Sequence, residues 1–161
     1  MREHPKAVGN RSTLAIMFAL LEAGYEVLLP FGENTRYDLV IDDGRSLSRV
    51  QCKTGRLREG AILFNTCSSY AHHPNPTMVR RSYRGDIDYF GVYCATTGGV
   101  YLVPIEHAAL KNRAALRVFP PRNNQHDKVR FAADYEVAQV DCYVFATAKP
   151  AAKPGGSAPS A

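Results

Sequence analysis

The chain of 161 residues is 45% hydrophobic and 22% charged, an ordinary globular balance that argues against a largely disordered protein and allows one domain with a real core. Its formal net charge is +5, carried mostly by arginines: Arg45, Arg49, Arg56 and Arg58, then Arg80, Arg81 and Arg84. Arginine takes phosphate in paired hydrogen bonds better than lysine does, so an anionic partner fits, although a generally basic protein fits the composition equally well.

Residues 1–9 form a polar lead-in. Asn10 is a capping residue for a helix running to about Ala23, where Gly24 supplies the stop. That helix is apolar on most sides (Leu14, Ile16, Met17, Phe18, Leu20, Leu21), which predicts burial against a sheet. The apolar run from Leu14 to Leu21 is too short, and too quickly followed by Glu22, for a signal peptide, and no segment is long enough to span a membrane. A cytoplasmic protein is therefore expected. Strands are predicted over 26–31, over 37–42 and, after a turn at Asp43-Gly44, over 47–53, with a fourth over 61–66. A proline-rich loop with His72-His73 then leads into the basic stretch MVRRSYRG. Residues 88–96 and 99–105 read as a hairpin about Thr97-Gly98-Gly99. A short helix near 106–112, a strand near 116–119 and a polar loop over 120–128 follow. Residues 135–146 carry one more helix or strand. The domain is placed at 1–146, and 147–161 (TAKPAAKPGGSAPSA) read as a flexible tail of low complexity. A helix, three or four strands and then mixed elements make an α/β or α+β layered fold.

The four cysteines (Cys52, Cys67, Cys94, Cys142) show no CxxC pairing, and His72-His73 has no partner at helical spacing. Reduced thiols are expected, rather than a disulfide framework or a zinc site.

Polar residues interrupt the second and third strands. Side chains alternate faces along a strand, so Gln51 and Lys53 share one face of the third strand while Val50 and Cys52 take the other. Asp38, thirteen residues before Gln51, lies across from that face if the two strands pair through the turn. A carboxylate and an amide oxygen are hard ligands suited to Mg²⁺, with the Cys52 carbonyl a further one. Lys53 is then placed to orient or deprotonate a water, or to neutralise charge growing on a phosphate oxygen. The competing reading is a cross-strand salt bridge, worth about 0–1 kcal/mol at a surface. The apolar neighbours Leu39, Val40, Ile41 and Val50 imply buried strands, where two charges kept for structure alone are costly.

The helix, the strand and the D-x(12)-Q-x-K hairpin together resemble the PD-(D/E)XK nuclease superfamily. More narrowly, GNRSTLAIMFALLEAGYEVLLPFGENTRYDLVIDDG and VQCKTG resemble the branch of group I intron homing endonucleases in which glutamine replaces the usual second acid. The resemblance runs over roughly residues 6–56 and continues more weakly through 64–70 and 83–93. It implies a restriction-endonuclease-like core, a mixed sheet flanked by helices. It also implies Mg²⁺- or Mn²⁺-dependent cleavage of double-stranded DNA, and a homo-oligomer, dimer or tetramer. Carried over residue by residue, Asp38 matches the metal-binding acid, Gln51 the replaced acid and Lys53 the catalytic lysine. The family's helix glutamate falls on Thr13, which has no charge, so a DNA-binding module of weak or absent activity is the alternative function. Glu33 is a further acid that could stand in for it.

Around this group, Arg36, Arg56 and Arg58 read either as phosphate contacts or as solvated loop charges. Arg80, Arg81 and Arg84, interleaved with Tyr83, suit a DNA backbone. Ser68, Ser69 and Tyr70 follow the fourth strand and could bond a phosphate or a metal-bound water; a polar turn is the plainer reading. Asp86 and Asp88 read as partners for nearby arginines.

Overall fold

A computed structural model of the chain describes residues 4–32, 34–70, 79–108, 112–120 and 129–137. Glu33, His72-His73, Cys142, most of the polar loop at 120–128, residues 138–146 of the last predicted element, and the tail with its boundary at 146/147 lie outside the described residues.

Helix α1 (Pro5–Glu22) starts five residues before the expected cap at Asn10. His4 caps it instead, its ring accepting the Lys6 N–H at 3.3 Å, and Pro5 suits a first turn in which no N–H partner is needed. Asn10 is simply a helical residue. The stop is as expected: Gly24 takes a positive φ of 88° and donates to Leu21 O at 2.9 Å, a conformation open to glycine at little cost.

The strands are β1 (Glu26–Leu28), β2 (Leu39–Asp42), β3 (Leu47–Thr54), β4 (Arg56–Arg58), β5 (Ala61–Asn65), β6 (Cys67–Tyr70), β7 (Val79–Ser82), β8 (Tyr89–Cys94), β9 (Gly99–Pro104) and β10 (Arg113–Arg117). Helix α2 (Ile105–Ala108) follows β9. The main sheet is five-stranded, in the order β1-β2-β3-β8-β9. It is mixed: β3 pairs β2 antiparallel and β8 parallel. A three-stranded sheet, β10-β5-β4, and a ribbon, β6-β7, flank it.

Strand β3 is central and has a core on each face. Val50 and Cys52 pack with Leu39, Ile41, Ile16, Ala19 and Leu20 under α1. On the other face Phe90 and Val92 of β8 pack with Ile62, Phe64, Leu116 and Tyr83. The helix can approach the sheet because position 91 has no side chain: a Cβ there would lie 2.9 Å from Ile16 Cγ2 and 3.1 Å from Val50 Cγ1. The parallel β3-β8 ladder begins at a clamp. Asp88 accepts from Arg49 N at 2.7 Å and from its guanidinium at 3.1 Å, and Asp88 N donates back to Arg49 O at 2.9 Å. This pairing holds the Asp88 carboxyl below the usual carboxylate range. Among the described residues Cys52, Cys67 and Cys94 are free thiols, and no helix is long and apolar enough to cross a membrane.

Several sequence expectations shift. The helix is not buried on most sides: Leu14, Phe18 and Leu21 are 66%, 62% and 52% exposed, since one sheet covers only one face. Strand β1 ends at Leu28, leaving Leu29 and Phe31 exposed. Residues 68–70, expected as a polar turn, belong to strand β6, and the basic stretch contains strand β7. A ribbon needs no alternation of apolar and polar side chains, so periodicity does not reveal it. Helix α2 begins at Ile105, residues 109–111 of the expected helix lie outside the described residues, and β10 begins three residues before the predicted strand.

Gly91→Ala should lower stability by about 1–3 kcal/mol through overpacking, read as a drop in thermal or denaturant midpoint. A midpoint equal to wild type would show that α1 does not press on β8 as described.

Candidate active site

Asp38 sits one residue before β2. Its N–H donates to Val50 O at 2.9 Å, which continues the β2-β3 ladder, so its side chain shares the face of Gln51 and avoids that of Leu39. Oδ2 of Asp38 accepts from Gln51 Nε2 at 2.5 Å and from the Cys52 backbone N–H at 2.7 Å. Gln51 Nε2 also lies 3.5 Å from Cys52 O. Carboxylate, amide and peptide carbonyl are thus gathered within hydrogen-bond reach. Asp38 Oδ1 and Gln51 Oε1 accept no bond among the described residues.

Burial pushes the Asp38 carboxyl above its ordinary range, and the Cys52 N–H, the Lys53 charge and the Gln51 amide only partly offset it. The fold therefore holds an incompletely compensated anion. Cys52 adds no second anion: burial, and then the Asp38 charge, push its thiol up to about 12. Only its carbonyl oxygen is a usable hard ligand.

Lys53 follows two residues on, on the same face as Gln51. Its Nζ donates to Tyr83 Oη at 3.1 Å and lies 4.6 Å from the ring centroid. Tyr83 is only 5% exposed and meets Phe90 edge-on at 5.7 Å. The Arg36 guanidinium lies 4.2 Å from the same ring centroid. It donates to Asp86 at 3.0 Å, Ser68 Oγ at 2.8 Å and Ser82 O at 2.8 Å. A ring packed against Phe90 and beside a fully engaged guanidinium is a rigid support for a lysine.

Asp38, Gln51, Cys52 and Lys53 are brought together; Thr13 is not. Thr13 donates to Gly9 O at 3.2 Å and lies near the Cys52 thiol, on the α1 side of the sheet. Its neighbour Ser12 is the buried hydroxyl of that helix, 2.7 Å from Thr54 Oγ1. Arg36, read as a phosphate contact, has its donors engaged inside the chain. Arg81 lies 3.6 Å from Asp86. Ser68 accepts from Arg36 and donates to Arg81 O at 3.4 Å. Arg80 and Arg84 are exposed beside them, and Arg56 and Arg58 are exposed on β4. The side chain of Tyr70 lies outside the described part. The residue that sequence reasoning placed elsewhere is Tyr83. Flanked by arginines it reads as a surface aromatic, and its contact with Lys53 is thirty residues distant.

Among the described residues no group of three His, Cys, Asp or Glu side chains gathers. The donors are one carboxylate, the Cys52 carbonyl and, with the amide turned so that Oε1 rather than Nε2 faces Asp38, the Gln51 oxygen, all hard. Together with the undercompensated charge on Asp38, this set fits a divalent cation such as Mg²⁺.

Residues 3–138 match the PD-(D/E)XK endonuclease family, and the chain belongs to that family. Among solved structures, that of a bacterial homing endonuclease, I-Ssp6803I, is similar in fold, with a TM-score of 0.68 and 23% identity over 83% of this chain and 89% of that one. No curated protein matches the chain. The mixed sheet with its packed helix is thus the nuclease-family core, with the Asp38 group at the start of its central hairpin.

Because Asp38 titrates higher in the fold than its ordinary value of 3.8, its ionisation works against folding. The stability it contributes is full below 3.8 and is lost as pH rises through the raised value. Asp38→Asn, in EDTA, should remove this component of the pH dependence and leave the protein at least as stable as wild type at neutral pH. A clear loss of neutral-pH stability would contradict the description of Asp38 as undercompensated.

Proposed function

We propose that this PD-(D/E)XK endonuclease hydrolyses phosphodiester bonds of double-stranded DNA with Mg²⁺ or Mn²⁺, using Asp38, Gln51 and Lys53. The observation that carries the reading is the half-buried Asp38 carboxylate, held by the Cys52 N–H and the Gln51 amide two residues from an anchored lysine. The Asp38 carboxylate, the Gln51 amide oxygen and the Cys52 carbonyl would hold the cation. Bound there, it supplies a Lewis acid for a phosphate oxygen and lowers the pKa of a bound water.

The chain's own groups do the remainder. The Cys52 N–H fixes Asp38 through Oδ2 and leaves Oδ1 without a hydrogen bond among the described residues. Lys53 Nζ, directed by the Tyr83 hydroxyl, presents a positive charge to a phosphate oxygen as negative charge grows on it. Arg56 and Arg58 lie beyond Lys53 on the next strand and suit the flanking phosphates. The protein acts in the cytoplasm, where DNA is accessible, as a homo-oligomer. The exposed Leu14, Phe18 and Leu21 of α1, with Leu29 and Phe31 after β1, support self-association.

A single carboxylate, with Thr13 on the far side of the sheet, supports the second reading, a nuclease fold that binds DNA and cleaves it weakly.

The test is a supercoiled-plasmid cleavage assay with Mg²⁺ or Mn²⁺. Lys53→Ala should lower the rate by about 10²–10³-fold, the scale for removing one electrostatic contact to a developing oxyanion, and EDTA should abolish cleavage. Equal cleavage by wild type and Lys53→Ala would place the chemistry elsewhere. No wild-type cleavage with DNA binding retained would favour the second reading.

A further inference from the structure

Two sets of arginines contrast in this chain. Arg36, Arg49 and Arg81 are ion-paired with Asp86 or Asp88. Arg56, Arg58 and Arg113 are exposed and, among the described residues, make no ion pair or side-chain hydrogen bond. Strand register places the second group together. In the β10-β5-β4 sheet Arg56 pairs with Leu63, Arg58 with Ala61 and Arg113 with Asn65. Leu57, Ile62, Phe64, Ala114 and Leu116 turn inward to the core. By the period of two, Arg56, Arg58, Asn65 and Arg113 share the outer face.

That face opens onto a cleft of about 720 Å³ whose lining includes Lys53, Arg56, Arg58, Asn65, Ser68 and Arg113. One cleft thus joins the anchored lysine to three unpaired guanidinium groups from two strands. Arg56 and Arg58 stand two residues apart, about 7 Å along one strand, and β10 lies about 10 Å away across β5. Each guanidinium can take a phosphate in two bonds, and their spread requires an extended polyanion.

We propose that the outer face of β4-β5-β10 is the track for the DNA sugar-phosphate backbone leading to Lys53, with Arg113 a phosphate-binding residue alongside Arg56 and Arg58. This rests on the DNA-cleaving reading above. It adds a residue from β10, sixty residues beyond Lys53, and fixes the side from which the strand enters. Contacts of this kind position the duplex without reading its bases.

The experiment is equilibrium binding of two fluorescently labelled duplexes of unrelated sequence, in EDTA so that cleavage does not intervene, over a range of salt. Arg113→Gln should weaken binding of both duplexes by about tenfold and lower the salt slope by about one. Arg113→Lys should restore part of the loss. Arg45→Gln removes the same charge from the β2-β3 turn, at the other end of β3, and should stay within about twofold of wild type. Circular dichroism and the thermal midpoint establish that each variant is folded. Arg113→Gln behaving like Arg45→Gln, or losing affinity for one sequence only, overturns the proposal. A parallel Mg²⁺ cleavage assay separates the two readings. Wild-type cleavage with Arg113→Gln binding unchanged sinks only the backbone track; the expected binding loss without wild-type cleavage sinks only the nuclease reading.

Discussion

Everything near the candidate site depends on how one carboxylate is held. Asp38 Oδ2 accepts the Cys52 N–H at 2.7 Å and the Gln51 amide, and burial still raises its pKa. A folded protein gains little from a half-buried anion that lacks full compensation, and a hydrophobic pair of similar volume would serve stability better. Such an anion is useful when a cation is to bind. The surrounding structure is arranged to keep it: β3 lies between two packed cores, Gly91 lets α1 close one face, and the Arg49-Asp88 clamp starts the parallel ladder on the other side of β3.

The period of two along β3 organises the rest. Val50 and Cys52 serve the α1 core, while Gln51 and Lys53 serve the site. The same period explains why Thr13 does not join them: it lies beside Cys52 on the α1 face of the sheet. Lys53 needs support from outside its strand, and Tyr83 supplies it, itself held by Phe90 and lying beside Arg36. The ion pair between Arg36 and Asp86, with side chains 17% and 27% exposed, is better protected than a surface pair, which contributes about 0–1 kcal/mol. Its role is to immobilise the ring rather than to add stability.

Much of this was legible in the sequence because it is local. The Asp38-Gln51-Lys53 group is carried by one hairpin whose register follows from the Asp43-Gly44 turn and the apolar alternation, and Asp42 and Asp43 bond the turn amides as turn residues do. The β8-β9 hairpin and the Gly24 stop were legible for the same reason. What was hidden depends on distant partners. Arg36 reads as a phosphate contact or a solvated loop charge until Asp86, fifty residues away, takes it. Tyr83 reads as a surface aromatic until Lys53 reaches its hydroxyl. Arg113 carries no signal in the sequence, because only the β5-β10 pairing brings it to the cleft. The ribbon β6-β7 was hidden because both its strands are polar.

We propose that the Asp38 group holds the cation and Lys53 faces the phosphate. A crystal structure of the protein with duplex DNA and Mn²⁺, using the metal's anomalous signal, tests this directly. The expected result is a peak bonded to Asp38 Oδ1, the Gln51 amide oxygen and the Cys52 carbonyl, with a backbone phosphate between the metal and Lys53 Nζ. A metal bound elsewhere, or DNA seated away from Lys53 with the Asp38 group empty, would contradict it.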